Sequence, residues 1–112
     1  MGKTEIYIKV SRDFLKVIKT GRKIHSIYFI LYTTYAEENN AASKLGITIS
    51  SKEIPLANKR NRIRRMIKEH WRKVNKKVHN RLVVLIIKKS VLTLKNESFY
   101  SEVINIFNKI IS

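Results

Sequence analysis

The sequence predicts an α+β fold: a single domain over residues 1–112, in which a mixed sheet of about four strands is layered with helices. Three observations support this. Helical and strand patterns follow one another as helix, strands, helix, strand, helix. The longest purely apolar run, Leu82 to Ile87, is too short to span a bilayer and has the pattern of a central strand covered on both faces. The segment before it, KRNRIRRMIKEHWRKVNKK, combines helical apolar spacing with ten basic residues and one acid, Glu69. A chain of 112 residues supports one core of modest size. With 44% apolar residues, three Gly and one Pro, collagenous and low-complexity classes are excluded.

Each element has its own signal. Ser11 is expected to cap a helix that starts at Arg12, has Phe14, Val17 and Ile18 on one face and ends at Gly21. Ile24 to Thr34 reads as one strand, with Ile27, Phe29 and Leu31 on one face and Tyr28, Ile30 and Tyr32 on the other. Residues 37–43, rich in Glu, Asn and Ala, read as a turn. Leu45, Ile47 and Ile49 then alternate as a half-buried strand, expected to pair antiparallel with the first. Pro55 interrupts the chain before a long helix placed from Ala57 to Lys77. Phe99, Val103, Ile104, Phe107, Ile110 and Ile111 repeat at helical spacing, with Asn96 or Ser98 as cap. Residues 1–10 carry no readable role.

Charge narrows the function. Twenty-four basic residues against eight acidic ones give +16, and a folded chain so charged repels itself unless a polyanion is near. Taking Ile63 as reference, Ile67, Trp71, Val74 and Val78 share one sector of the long helix, while Arg62, Arg64, Arg65, Lys68, Arg72, Lys73 and Lys76 spread over the rest. The stripe explains docking. The charges do not follow from it, since like charges three or four residues apart cost roughly 0.2 to 0.5 kcal/mol each. A solvated face is the ordinary reading of a mixed-sign helix, but here one sign dominates. Arginine-rich composition from Lys59 to Lys68 suits bidentate phosphate contact, and Arg60 and Asn61 stand where helix N–H groups are free. Nucleic acid is therefore the expected partner. A membrane would need the apolar stripe that a domain of this size requires for its core, and DNA would need a partner helix that the pattern lacks.

The run Lys44-Leu45-Gly46-Ile47-Thr48-Ile49-Ser50-Ser51-Lys52, then Ala57 and Arg60-Asn61-Arg62-Ile63-Arg64-Arg65-Met66-Ile67-Lys68-Glu69, strongly resembles the protein subunit of bacterial ribonuclease P. Asp13-Phe14, Val17, Gly21, Phe29, Leu31, Tyr32, Thr33 and the strand Leu82 to Ile87 extend the likeness over most of the chain. The resemblance implies a left-handed strand-helix-strand crossover, where a right-handed one would ordinarily be assumed. It further implies a role assisting a catalytic RNA that removes the 5′ leader from precursor tRNA. Carried over, Arg60, Asn61, Arg62, Arg64, Arg65, Lys68, Arg72 and Lys52 meet RNA, and a leader-binding cleft is matched by Phe14, Ile18, Tyr28, Ile30 and Tyr32. Aromatic platforms beside a basic groove hold single strands without a sequence code. The chain departs from the family at Glu53, Pro55, Asn58 and Ile18, which reshapes the helix entry and one stacking position.

No catalytic residue is expected on the protein. Its eight acids and three histidines (His25, His70 and His79) are scattered over separate elements, no glycine-rich phosphate loop occurs, and there is no cysteine. Chemistry is assigned to the RNA and its Mg²⁺ ions. The competing class is a ribosomal-type structural RNA-binding protein. The N-terminus lacks a hydrophobic secretory core, and with no cysteine to form a disulfide the expected location is the cytoplasm.

Overall fold

A computed structural model describes residues 6–36, 42–78 and 80–111. Its elements are α1 (Ser11–Thr20), β1 (Arg22–His25), β2 (Phe29–Tyr35), β3 (Lys44–Ile49), α2 (Ala57–Val74), β4 (Arg81–Ile87) and α3 (Asn96–Asn108), with 3-10 turns at Asn75–Lys77 and Lys89–Thr93. Four strands form one mixed sheet in the order β1-β2-β4-β3.

Two expectations about the sheet are corrected. The first strand pattern is a hairpin: Ser26 Oγ accepts the N–H groups of Phe29 (3.0 Å) and Tyr28 (3.3 Å), bending the chain between β1 and β2. Ile27 sits in that bend, 72% exposed, rather than on a strand face with Phe29. Nor do β2 and β3 pair with each other. β4 lies between them, antiparallel to β2 and parallel to β3. The apolar run thus takes the central position its composition demands, because a strand flanked on both edges and layered on both faces buries nearly all its residues, and of this run Ile86 alone is half-buried.

Alternation along β4 divides the core. Val83, Leu85 and Ile87 join Phe29, Leu31, Leu45 and Ile49 against the stripe of α2 and the buried face of α3. Leu82 and Val84 turn to the opposite face, where Val17 of α1 packs with Phe14, Tyr32 and Ile86. Helices therefore cover both faces, one fully and one in part.

The helix boundaries shift by small amounts. Ser11 is the first helical residue after extended Val10, and no side chain caps α1. Gly21 ends it as expected, because a Cβ there would collide with the backbone oxygens of Val17 and Thr33. α2 stops at Val74 rather than Lys77, where Asn75 Nδ2 donates to the carbonyls of Trp71 (2.9 Å) and Arg72 (3.0 Å). α3 starts at Asn96 without a side-chain cap, so neither Asn96 nor Ser98 plays that part. Ile106 is buried in α3 while Ile104 is 40% exposed. The expected turn over 37–43 falls largely outside the described residues. Its last residue, Ser43, is buried, donating to Val78 O (2.6 Å) and accepting from Arg81 N (3.0 Å), which ties the start of β3 to that of β4.

The N-terminal segment, unread in the sequence, adds a short parallel bridge to the free edge of β3. Ile8 N donates to Leu45 O and Leu45 N to Ile6 O, both at 3.0 Å. Trp71 Nε1 donates to the same Ile6 carbonyl at 2.8 Å, so α2 holds this segment in place.

Candidate nucleic-acid interface

Helix α2 presents three sides. Ile63, Ile67, Trp71 and Val74 are buried against the sheet, so this stripe is not available to a bilayer. Asn61, Arg65 and Arg72 project from the opposite side and are exposed. The two flanks differ in what they meet.

On the flank facing the N-terminal segment lie Arg60, Arg64 and Lys68, one turn apart. Arg60 Nη1 donates to the carbonyls of Ile54 and Pro55, both at 2.8 Å, so this arginine clasps the turn that leads into its own helix. Arg64 and Lys68 line a cavity of about 170 Å³ with Tyr7, Ile8, Phe14 and Gly46. The Lys68 ammonium stands 5.0 Å over the Tyr7 ring, a cation–π distance. On the other flank, Arg62 donates through Nη2 to Asn96 Oδ1 at the start of α3.

The sheet face beneath α1 forms the cleft. Phe14 and Tyr32 pack into the same small cluster, with Ile8 and Ile86 beside them. Ile30 shares this face by register and is half-buried, and Ile18 on α1 is 38% exposed. Lys23 of β1 lies 5.9 Å over the Tyr32 ring, giving the outer edge of the cleft a positive charge. Tyr28 does not join this group. It sits in the bend before β2 and packs against the larger cluster instead. Lys52 is exposed in the turn between β3 and α2. The structure thus brings Phe14, Ile30 and Tyr32 to one sheet face, with Arg64 and Lys68 across the adjoining cavity. Sequence reasoning missed Tyr7, Ile8, Lys23 and Ile86. The alternation of Ile6 and Ile8 around Tyr7 was the signal for the first two, and Lys23 and Ile86 follow only from strand register.

On α2, the titration of His70 is perturbed. Burial, then the charge of Lys73, hold its pKa below the usual 6.5. Its Nε2 is buried without a hydrogen-bond partner, and its ring lies 5.8 Å from that of Phe107. Among the described residues no three His, Cys, Asp or Glu side chains converge on a metal position, and no helix is long and apolar enough to cross a membrane.

A basic helix docked by its apolar stripe, beside an aromatic cleft edged with cations, defines a small RNA-binding α+β protein. The family model described as Ribonuclease P matches residues 3–111. A ribonuclease P protein component from Desulforapulum autotrophicum is 34% identical over 110 residues, covering 97% of this chain and 91% of the relative. One from Ureaplasma urealyticum is 38% identical over 87 residues, 78% of this chain and 72% of the relative. The fold is that of the Staphylococcus aureus RNase P protein, with a TM-score of 0.82 at 24% identity over 95% of this chain and 97% of the other. The Thermotoga maritima RNase P protein gives 0.74 at 24% identity over 93% and 94%. The chain belongs to the ribonuclease P protein family, the protein component of a ribonucleoprotein endoribonuclease that processes tRNA.

Proposed function

We propose that this subunit binds ribonuclease P RNA along the outward side of α2 and the single-stranded 5′ leader of precursor tRNA in the cleft under α1. The observation that carries this reading is the meeting of Phe14 and Tyr32 on one sheet face with Arg64 and Lys68 beside it. Bases stack on the rings while the basic groups follow the backbone, an arrangement that holds single strands of varied sequence. Asn61, Arg65 and Arg72, exposed and free of the core, are placed to meet phosphates of the catalytic RNA.

Hydrolysis then belongs to the RNA and to Mg²⁺ ions held mainly by its phosphates. The protein screens repulsion between two RNA molecules and fixes the substrate, and with its RNA partner it works in the cytoplasm. The test is cleavage of precursor tRNA at low Mg²⁺ by a bacterial ribonuclease P RNA with and without the protein. Stimulated cleavage at the correct 5′ site is expected. Cleavage by the protein free of RNA, or no stimulation by a folded and RNA-binding protein, would overturn the reading.

A further inference from the structure

The flank of α2 remote from the cleft carries a second concave feature. Between α2 and the start of α3 lies a cavity of about 170 Å³ whose floor is made by Met66, Leu94 and Phe99. Phe99 is buried and held by an edge-to-face contact with Phe29, centroids 6.0 Å apart, so the floor belongs to the fixed core. The mouth is polar and basic: Lys59, Arg62 and Asn96 line it and are all exposed. Arg62 is oriented by its bond to Asn96 Oδ1. A guanidinium has five N–H donors, so one engaged donor positions the group and leaves others free.

We propose that this cavity takes one unstacked nucleobase of the ribonuclease P RNA, with the adjoining phosphate held by Lys59 and Arg62. The inference rests on the RNA-binding reading above and adds a second nucleotide site on the opposite flank of the same helix. An apolar floor of thioether, aliphatic and aromatic groups accepts the face of any base. Asn96 Oδ1 accepts from Arg62, which leaves the amide N–H groups of this lining residue as the donors it can offer a base edge. Two cations at the mouth of an apolar pocket, on a chain of charge +16, favour an occupant that brings its own negative charge. A nucleotide does so, whereas an apolar peptide side chain would leave both cations facing an uncharged guest.

The test is chemical footprinting of ribonuclease P RNA assembled with the wild-type protein and with two variants, together with binding titrations over a range of salt. Met66→Trp fills the floor, and Leu92→Asp places a negative charge on a pocket residue that is 44% exposed and outside the core. One unpaired base protected by the wild type is expected to become reactive with each variant while the remaining protections persist. Affinity should fall roughly tenfold, the loss of one stacked base. Lys59→Gln should lower the logarithmic salt slope by about 0.7 to 0.9, whereas Met66→Trp leaves it unchanged. Wild-type footprints and affinity from folded variants would overturn the proposal. If Met66→Trp fails to fold, Leu92→Asp decides by itself. Absence of any wild-type footprint would remove the RNA reading and this site together; a footprint that neither variant alters removes only this site.

Discussion

Phe14 on α1 and Gly46 on β3 lie so close that no side chain fits between them: a Cβ at position 46 would stand 3.0 Å from Cζ and 3.1 Å from Cδ2 of the ring and overlap Cε2. Gly46 therefore sets how deeply the ring sits in the cleft. Gly46→Ala must push the half-buried ring outward, since the sheet backbone around position 46 is fixed on both sides by Tyr7–Leu45 and β4 pairing. Overpacking of this kind costs about 1 to 3 kcal/mol. The end of a ring can move, so the lower value is expected in thermal unfolding. Binding of leader-bearing tRNA should weaken while binding of leaderless tRNA holds. Equal loss for both substrates would show that the ring does not line the leader site.

Arg60 and Arg65 stand little more than one turn apart and are expected to fail differently. Arg60 is engaged with the carbonyls of Ile54 and Pro55, and Arg65 is exposed without a core contact. Arg60→Ala should lower stability by about 1 kcal/mol, allowing for partial solvent exposure of the bonds it removes. Its main effect is on the entry to α2. Arg65→Gln should leave the melting temperature unchanged and reduce the logarithmic salt slope of RNA binding by about 0.7 to 0.9. Unfolding curves and salt titrations of both variants distinguish the roles. An Arg60→Ala protein with native stability and a reduced slope would show that Arg60 acts chiefly on RNA, through the donors that the turn leaves free.

His70 makes stability depend on pH. Burial, and secondarily Lys73, lower its pKa in the folded chain, so the unfolded chain binds the proton more readily. Its contribution is unaffected above the ordinary pKa of 6.5 and becomes unfavourable as pH falls below that value towards the folded pKa. Denaturant titrations between pH 7.5 and about pH 5 should show stability falling with acid, and His70→Gln should flatten that portion of the profile. A parallel profile for the variant would assign the acid loss to other groups.

Much of this was legible in the sequence, for physical reasons that differ by element. The stripe Ile63, Ile67, Trp71 was readable because burial on one side of a helix imposes a period, and the run Leu82 to Ile87 because a strand layered on both faces is apolar throughout; β4 ends at Ile87 as expected, whereas α2 ends three residues early. Strand order was not readable, because hydrophobic alternation fixes which face a residue takes and not which strand lies beside it. The hairpin between β1 and β2 was hidden because its bend is made by Ser26 through its side-chain oxygen, without the Gly or Asn pair that marks a tight turn. Arg60 read as a phosphate ligand because sequence shows its charge and its place at a helix start. The fold adds a second role that the sequence does not show, because Nη1 of Arg60 is engaged by the carbonyls of Ile54 and Pro55 while its other donors stay available. The same holds for Tyr28 and Tyr32, whose even spacing placed them on one face until the bend separated them.

Trp71 and Ile6 are 65 positions apart and joined by the indole N–H, which gives the N-terminal segment its place. The Ile6 carbonyl also accepts Leu45 N, so losing the indole donor leaves the acceptor partly satisfied. Trp71→Phe should therefore cost about 1 kcal/mol for the bond, plus a loss for the smaller ring in a fully buried site. The informative effect is local. With the tether gone, the parallel bridge at Tyr7 loses its second support, and amide exchange at Ile8, whose N–H is bonded to Leu45 O, should quicken more than exchange in β4. Tyr7 and Ile8 wall the cavity that Arg64 and Lys68 line, so leader affinity should fall with that loosening. Uniform acceleration across the sheet would mean that Trp71 serves the core alone. Selective acceleration at Ile8 with unchanged leader affinity would place the N-terminal segment outside the binding surface.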